Sequence, residues 1–346
     1  MICSVNPFDK KAIISYKMLK VYSVKEIPIE LIQLLSDGKY HSGETVGAAL
    51  GVSRAAVWKK LKALEEFGID VESAKGRGYK LSQPVSLFDR ERIDRLTQEN
   101  QLPDALMFNV TDSTNTQLLA HIQKGGVAHG QIVIAEQQTA GRGRRGKAWV
   151  SPYAANLYFS IAWDFEQGAA KLDGLSLVVG LALQKAVSQF CGVEAEVKWP
   201  NDLLVSNRKL AGILLEISGD PTGLCHVVIG VGVNVNMIDS GGEIDQPWQS
   251  LSLLSQSVVD KTAFVGVFIE LLLTYLERFS TSGFTSFLSQ WRSVDALSGQ
   301  HVALIQGSEV VQGECEGVTE KGELLIKTAF GLEAFNGGEV SVRKRG

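Results

Sequence analysis

At 346 residues the chain has room for two or three domains, and 45% hydrophobic with 21% charged residues is the make-up of an ordinary globular protein. No apolar run reaches the ~18 residues of a membrane span, and a start studded with Lys10, Lys11, Lys17, Lys20 and Lys25 lacks the apolar core of a secretory signal. Membrane and secreted classes are thereby excluded, leaving the cytoplasm as the expected compartment.

The net charge of −4 divides unevenly: residues 1–83 hold 13 Lys and Arg against 9 Asp and Glu, the rest 21 against 29. Contact with nucleic acid is therefore expected of the front end alone. Residues 1–26 read as an N-terminal extension, with Met18 a second candidate start. Cys3, Cys191, Cys225 and Cys315 are far apart and show no CxxC pair. They are expected to be free thiols in a reducing cytosol, not metal ligands or disulfides.

The front module is expected over 27–84. Pro28 opens a first helix carrying Ile29, Leu31, Ile32, Leu34 and Leu35, which should stop near Asp37-Gly38. Ser42 is placed to cap a short helix with Val46, Ala49 and Leu50. Gly51-Val52 then makes a tight turn, and Ser53 caps a third helix with Val57, Leu61, Leu64 and Phe67 on one face. The opposite face holds Arg54, Trp58, Lys59 and Lys62; Trp58 reads by residue type as a packing residue. Residues 69–73 and 79–81 alternate as a hairpin with a basic tip, Ala74-Lys75-Gly76-Arg77-Gly78. Helix-turn-helix plus basic hairpin is a winged helix. Ser53, Arg54, Lys59 and Lys62 are the candidates for the major groove, and Lys75 and Arg77 for phosphate. A winged helix used only for protein contacts is the alternative. Pro84 begins a linker, and Asp89 to Leu96 start the next domain.

From 85 to 293 helices and strands mix. Asp112-Ser113-Thr114-Asn115 precedes a helix over 116–122; Ser113 and Thr114 read either as helix caps or as ligand-gripping groups at a helix N-terminus. A buried strand over 131–136 and another over 154–161 flank Gly141-Arg142-Gly143-Arg144-Arg145-Gly146-Lys147. Glycine permits close backbone approach, and arginine and lysine supply fixed charge for phosphate. The run is neither a Walker loop nor a dinucleotide fingerprint. It reads as a mobile phosphate clamp, with a solvated basic loop as the alternative. A long buried helix follows over 172–190, then Lys198-Trp199-Pro200-Asn201-Asp202. A hairpin over 203–216 places Lys209 at the start of its second strand and Gly212 where something can come close. A third buried strand runs over 227–235. From Gly299 onward, short strands at 301–305, 310–318 and 324–327 suggest a small β-barrel over 294–346.

Four segments together resemble the biotin–protein ligases: DSTN at 112–115, GRGRRG at 141–146 after Gln138, KWPND at 198–202 and KLAGILLE at 209–216. With the winged helix, the likeness is to the bifunctional members that also repress biotin operons. The implied fold is α+β: a winged helix-turn-helix, a central mixed α/β domain with a class II synthetase-like sheet, and an SH3-like barrel. The implied reaction joins biotin and MgATP into biotinyl-5′-AMP, then passes the acyl group to a lysine of the biotin carboxyl carrier protein of acetyl-CoA carboxylase. By motif, Ser113, Thr114, Asn115 and Gln138 are implied to line a biotin pocket, with Arg142, Gly143 and Arg144 in the loop that closes over it. Lys209 is implied to meet the biotin carboxylate and the α-phosphate. Arg142, Arg144, Asn201, Asp202 and Asn234 fall to the nucleotide, Asp202 near its Mg2+, and Trp248 resembles a lid over adenine. Lys209 and Arg144 are the implied catalytic pair. Lys147 stands where the family commonly has arginine, which keeps the charge.

The same resemblance implies a corepressor: biotinyl-5′-AMP favours a homodimer on operator DNA. Lipoate–protein ligases share the catalytic fold but lack the Arg-Gly loop. A ligase without DNA binding and a regulator without catalysis are the remaining alternatives. An acyl adenylate is hydrolytically labile, so an ordered loop must exclude water. If Arg144 makes one charge-assisted contact to it, Arg144→Ala removes about 1.5–3 kcal/mol, a ten- to hundredfold faster leak of adenylate. An unchanged off-rate in a chase assay rules out that role.

Overall fold

A computed structural model describes residues 27–83, 85–166, 168, 172–219, 223–338 and 340–344. The expected extension over 1–26, with Met18 and Cys3, and the linker's Pro84 lie outside them.

The front module has helices α1 (Ile29–Leu35), α2 (Gly43–Leu50) and α3 (Arg54–Glu65) and a hairpin of β1 (Val71–Ala74) and β2 (Gly78–Leu81). Local chemistry punctuates it. Ser42 Oγ accepts the Thr45 N–H at 3.0 Å, Ser53 Oγ accepts the Ala56 N–H at 3.3 Å, and Gly51 ends α2 at φ 63°. Leu31, Ile32, Leu35, Val46, Val57, Leu61 and Leu64 close its core, which also takes in Tyr153 and Ala154 of the body. Trp58, expected to pack, is 57% exposed instead, because its helix face turns away from that core.

The body continues with α4 (Arg90–Glu99), β3 (Leu106–Phe108), α5 (Thr114–Gln123), β4 (Ile132–Ala135), β5 (Leu157–Phe165) and α6 (Leu175–Cys191). Then come β6 (Glu196–Lys198), β7 (Asp202–Val205), β8 (Arg208–Gly219), β9 (Cys225–Val233), α7 (Leu251–Ser255), α8 (Lys261–Ser282) and α9 (Leu288–Val294). Two elements start later than expected. β5 begins at Leu157, after Ala154 at φ 57°, and α6 begins at Leu175, after Gly174 at φ 80°.

Seven strands form one sheet in the order β3-β4-β5-β9-β8-β7-β6, parallel only between β3 and β4. Alternation along the strands sorts the two faces. Ile132, Ile134, Leu157 and Ile161 join the main core with α6 and α8. Val133, Ala162 and Val228 pack with Leu118 of α5 on the opposite side. The tail is a five-stranded antiparallel sheet of β10 (His301–Gln306), β11 (Glu309–Val318), β12 (Leu324–Thr328), β13 (Gly331–Phe335) and β14 (Val340–Lys344), in the order β13-β12-β11-β10-β14. It shares its core with the body, and Trp199 Nε1 donates to Gly322 O across the junction at 3.0 Å.

One buried ion pair ties linker, sheet and helix together. Lys261, the first residue of α8, is fully buried, with Nζ 2.6 Å from Glu136 Oε2 and 4.2 Å from the Phe88 ring centroid. The other Glu136 oxygen accepts the Phe88 N–H at 2.6 Å. Burial lowers the Lys261 pKa and outweighs the opposing pull of the Glu136 charge. Removing one partner strands the other charge in a buried site. Lys261→Met is expected to cost about 3–5 kcal/mol in urea unfolding, with much of it regained when Glu136→Gln is added. A single variant that unfolds like the parent contradicts this.

Candidate functional site

The α5 face of the sheet is nearly bare of side chains at its centre. Register pairs Ser160 with Gly230 and Leu214 in one row, and Tyr158 with Gly232 and Gly212 in the next. A Cβ at Gly232 would overlap the Trp149 indole, one at Gly230 the Asn115 carboxamide, and one at Gly212 would press on Trp149. The glycines thus let two side chains lie directly on the strands. Above them opens a cleft of about 820 Å³.

One end of the cleft is a polar relay. Gln138 Oε1 accepts the Thr114 N–H at 2.8 Å and faces the Thr114 hydroxyl at 3.2 Å. Ser160 Oγ lies 2.7 Å from Thr114 Oγ1 and 2.6 Å from Asn115 Oδ1, all buried. Asn115 Nδ2 donates to Glu216 at 2.8 Å. The capping expectation for Ser113 and Thr114 is corrected here. Ser113 occupies the N-cap position of α5, but its side chain makes no cap bond. Gln138 takes that work through the Thr114 N–H, while Asp112, one residue before the cap, accepts from the Ser113 N–H at 2.6 Å, Gln117 Nε2 at 2.8 Å and the Thr111 hydroxyl at 3.1 Å. Burial raises the Asp112 pKa, but these donors together outweigh it and hold the carboxyl below its usual range.

The other end is cationic. Lys209 Nζ sits 2.7 Å from Asp202 Oδ1 and 5.5 Å from the Trp149 ring centroid. The Arg-Gly loop folds on itself through Gly143 N–H to Lys147 O at 2.7 Å and Trp149 N–H to Gly141 O at 2.9 Å. Arg145 adopts φ 58°, turning the chain sharply. Arg142 reaches Glu216 Oε2 at 2.8 Å, while Arg144 meets Asn201 Oδ1 at 3.2 Å and the carbonyls of Gly337 and Gly338 in the tail. The clamp therefore spans from α5 to the tail.

Ser113, Thr114, Asn115, Gln138, Arg142, Gly143, Arg144, Asn201, Asp202 and Lys209 all line this one cleft. Asn234 and Trp248 do not. The buried Asn234 amide donates to Gln249 O at 3.1 Å and Lys209 O at 3.4 Å. Half-buried Trp248 pairs with Lys209 through the backbone, beside the lining residues Asp245, Gln246 and Pro247. Sequence reasoning passed over Trp149, Ser160 and Glu216. A serine inside the apolar run Leu157–Phe165 was a readable signal; Trp149 had none beyond following the loop. Among the described residues no group of three or more His, Cys, Asp or Glu side chains is placed to hold a metal. Asp202, a carboxylate already paired with Lys209, fits a magnesium ion only as one that arrives with phosphate ligands of its own.

On the front module, Ser53, Arg54, Lys59 and Lys62 are exposed along one face of α3, and Lys75 and Arg77 are exposed at the hairpin tip. Ser53 is also the cap of its helix. The Arg77 guanidinium stacks 4.0 Å over the Tyr40 ring, whose hydroxyl donates to Glu72 at 2.7 Å. Positive charge is so arranged on two elements suited to a groove and its phosphates. No helix among the described residues is long and apolar enough to cross a membrane.

Comparison with known proteins agrees with this layout. Residues 107–234 match the biotin/lipoate A/B protein ligase family, 29–80 an HTH domain, and 297–343 the biotin protein ligase C terminal domain. The bifunctional ligase/repressor BirA of Salmonella typhimurium is 38% identical over 92% of this chain and 98% of its own length, and that of Escherichia coli 38% over 92% and 97%. The biotin protein ligase from Aquifex aeolicus in complex with biotin and ATP superposes with a TM-score of 0.62 at 29% identity, over 70% of this chain and 99% of that one.

Because Asp112 gathers donors from Thr111, Ser113 and Gln117, Asp112→Asn is expected to cost about 1 kcal/mol, as those bonds lose their charge assistance. The lowered carboxyl pKa stabilises the fold above the ordinary value of about 4 and loses that contribution as pH falls through the folded value. Urea midpoints recorded on the acid side should therefore fall less steeply in Asp112→Asn than in the parent. Parallel acid limbs in the two proteins contradict the assignment.

Proposed function

The chain belongs to the biotin–protein ligase family, in its bifunctional ligase/repressor branch, and on that premise we propose that it activates biotin with ATP, biotinylates a carrier protein and represses transcription. One observation carries the catalytic half. An Arg-Gly loop roofs a glycine-floored cleft that is hydrogen-bonding at one end and cationic at the other. That gradient suits a neutral polar ring system whose carboxylate must meet a phosphate.

In the first step a biotin carboxylate oxygen bonds to the α-phosphorus of ATP and pyrophosphate leaves. Two anions approach one another, so preorganised cations must offset the growing charge. Lys209 and Arg144 are the residues proposed for this, with Arg142 at the loop's start. Asn201 and Asp202 would lie against the nucleotide, and magnesium would enter bound to its phosphates, supplying further charge neutralisation. In the second step a carrier lysine amine attacks the acyl carbon and AMP departs. The acceptor brings the nucleophile, so no nucleophilic side chain is required of this chain. Ser113, Thr114, Asn115 and Gln138 are proposed to hold biotin through their polar atoms. The absence of Asn234 and Trp248 from the cleft lining makes them supporting residues of the 247–249 segment in this reading.

For the repressor half, the exposed basic face of α3 and the basic hairpin tip support operator binding by the winged helix. Biotinyl-5′-AMP as corepressor, a homodimer of two winged helices and a cytoplasmic setting complete the proposal. Linkage then requires adenylate to favour the dimer by the same factor as the dimer favours adenylate. A lipoate ligase is disfavoured by the Arg-Gly loop.

The deciding experiment incubates the purified chain with biotin, MgATP and a biotin carboxyl carrier domain, then weighs the carrier by intact mass spectrometry. A gain of one biotinyl group is expected. No gain, together with no adenylate, would leave a ligand-responsive DNA regulator.

A further inference from the structure

Glu216 closes the KLAGILLE segment, and neither chemical step above employs it. It sits on β8 two residues past Leu214, on the strand face that carries the cleft, yet outside the lining. A single carboxylate oxygen, Oε2, accepts from Asn115 Nδ2 and from Arg142 Nη2, each at 2.8 Å. The same arginine nitrogen also reaches the Thr116 hydroxyl of α5 at 3.2 Å.

Two consequences follow from acceptor chemistry. First, the Asn115 carboxamide can point only one way. Its NH2 must face the carboxylate, which leaves Oδ1 for the Ser160 hydroxyl at 2.6 Å. A flipped amide would set oxygen against carboxylate and nitrogen against the strand. Second, the first arginine of the loop is tied to the protein at one edge of the cleft. Arg142 is anchored beside α5, and the chain from Gly143 onward is thereby carried across the cleft toward Asn201. A carboxylate next to a site for anions opposes ligand charge unless it is neutralised, and Arg142 neutralises it.

We propose that Glu216 is a positioning residue of the ligase site: it orients Asn115 and fastens the Arg-Gly loop to α5, and so governs how long an acyl adenylate stays enclosed. The inference rests on the ligase reading. It concerns retention and biotin affinity, not the bond-making steps.

The test compares the parent with Glu216→Gln, Arg142→Met and the double variant. Each is loaded with biotin and MgATP, and adenylate release is followed in a chase; kcat and the biotin KM for carrier labelling are measured beside it. Glu216→Gln is expected to release adenylate about tenfold faster, the loss of one charge-assisted contact, and to raise KM with little change in kcat. Arg142→Met breaks the same contact from the exposed loop, where a folding defect is not expected. The double variant should be no worse than the poorer single, as for two ends of one interaction. A parental off-rate and KM in Glu216→Gln overturn the proposal, as do additive effects in the double variant. Failure of the parent chain itself to make adenylate is a separate result, which removes the ligase reading and this inference with it.

Discussion

The pairing of Glu136 with Lys261 is the constraint on which the other parts lean. Ion pairs of this kind add little net stability over an apolar substitute, because desolvation offsets their attraction. What they impose is geometry. Glu136 follows β4 directly and sits two residues before Gln138, so fixing its carboxylate fixes where the strand delivers Gln138 to the N-terminus of α5. The other carboxylate oxygen holds the Phe88 N–H, and Phe88 belongs to the segment that arrives from the front module. The helix-turn-helix module and the polar end of the cleft are thus hung from one side chain.

The cleft obeys a second economy. An anion site needs several cations near one another, which repel when nothing separates them. Three of them have partners within the protein: Lys209 has Asp202, Arg142 has Glu216, and Arg144 has an amide oxygen and two carbonyls. The charges are therefore preorganised without being left exposed to each other. The tail is part of this arrangement, since Arg144 draws on its carbonyls and Trp199 is pinned to its Gly322.

Much of this was legible in the residues. The front module follows from apolar spacing and from Ser42, Gly51 and Ser53, whose roles are local and therefore readable. The strands around the Arg-Gly loop follow from unbroken apolar runs. The four ligand motifs lie up to a hundred residues apart, and their convergence came from resemblance, because spacing along a chain says nothing about register across a sheet. The misses share one cause. Trp149, Ser160 and Glu216 act through neighbours that only strand pairing brings near. Ser113 looked like a cap because Gln138, far along the chain, could not be seen to take the Thr114 N–H. Asn234 and Trp248, expected at the nucleotide, stand outside the cleft lining: the Asn234 amide meets the carbonyls of Lys209 and Gln249, and Trp248 bridges to Lys209 through the backbone.

The glycine floor carries an evolutionary consequence. Gly212, Gly230 and Gly232 are bare because Trp149 and Asn115 occupy the space where their side chains would stand. Any methyl group gained at Gly232 evicts the indole, so the mutation is tolerated only in a lineage that has already shrunk position 149. Substitution at 149, conversely, opens a void that a larger residue on the floor could fill. These positions inherit in order: the floor can gain bulk only after the roof has lost it.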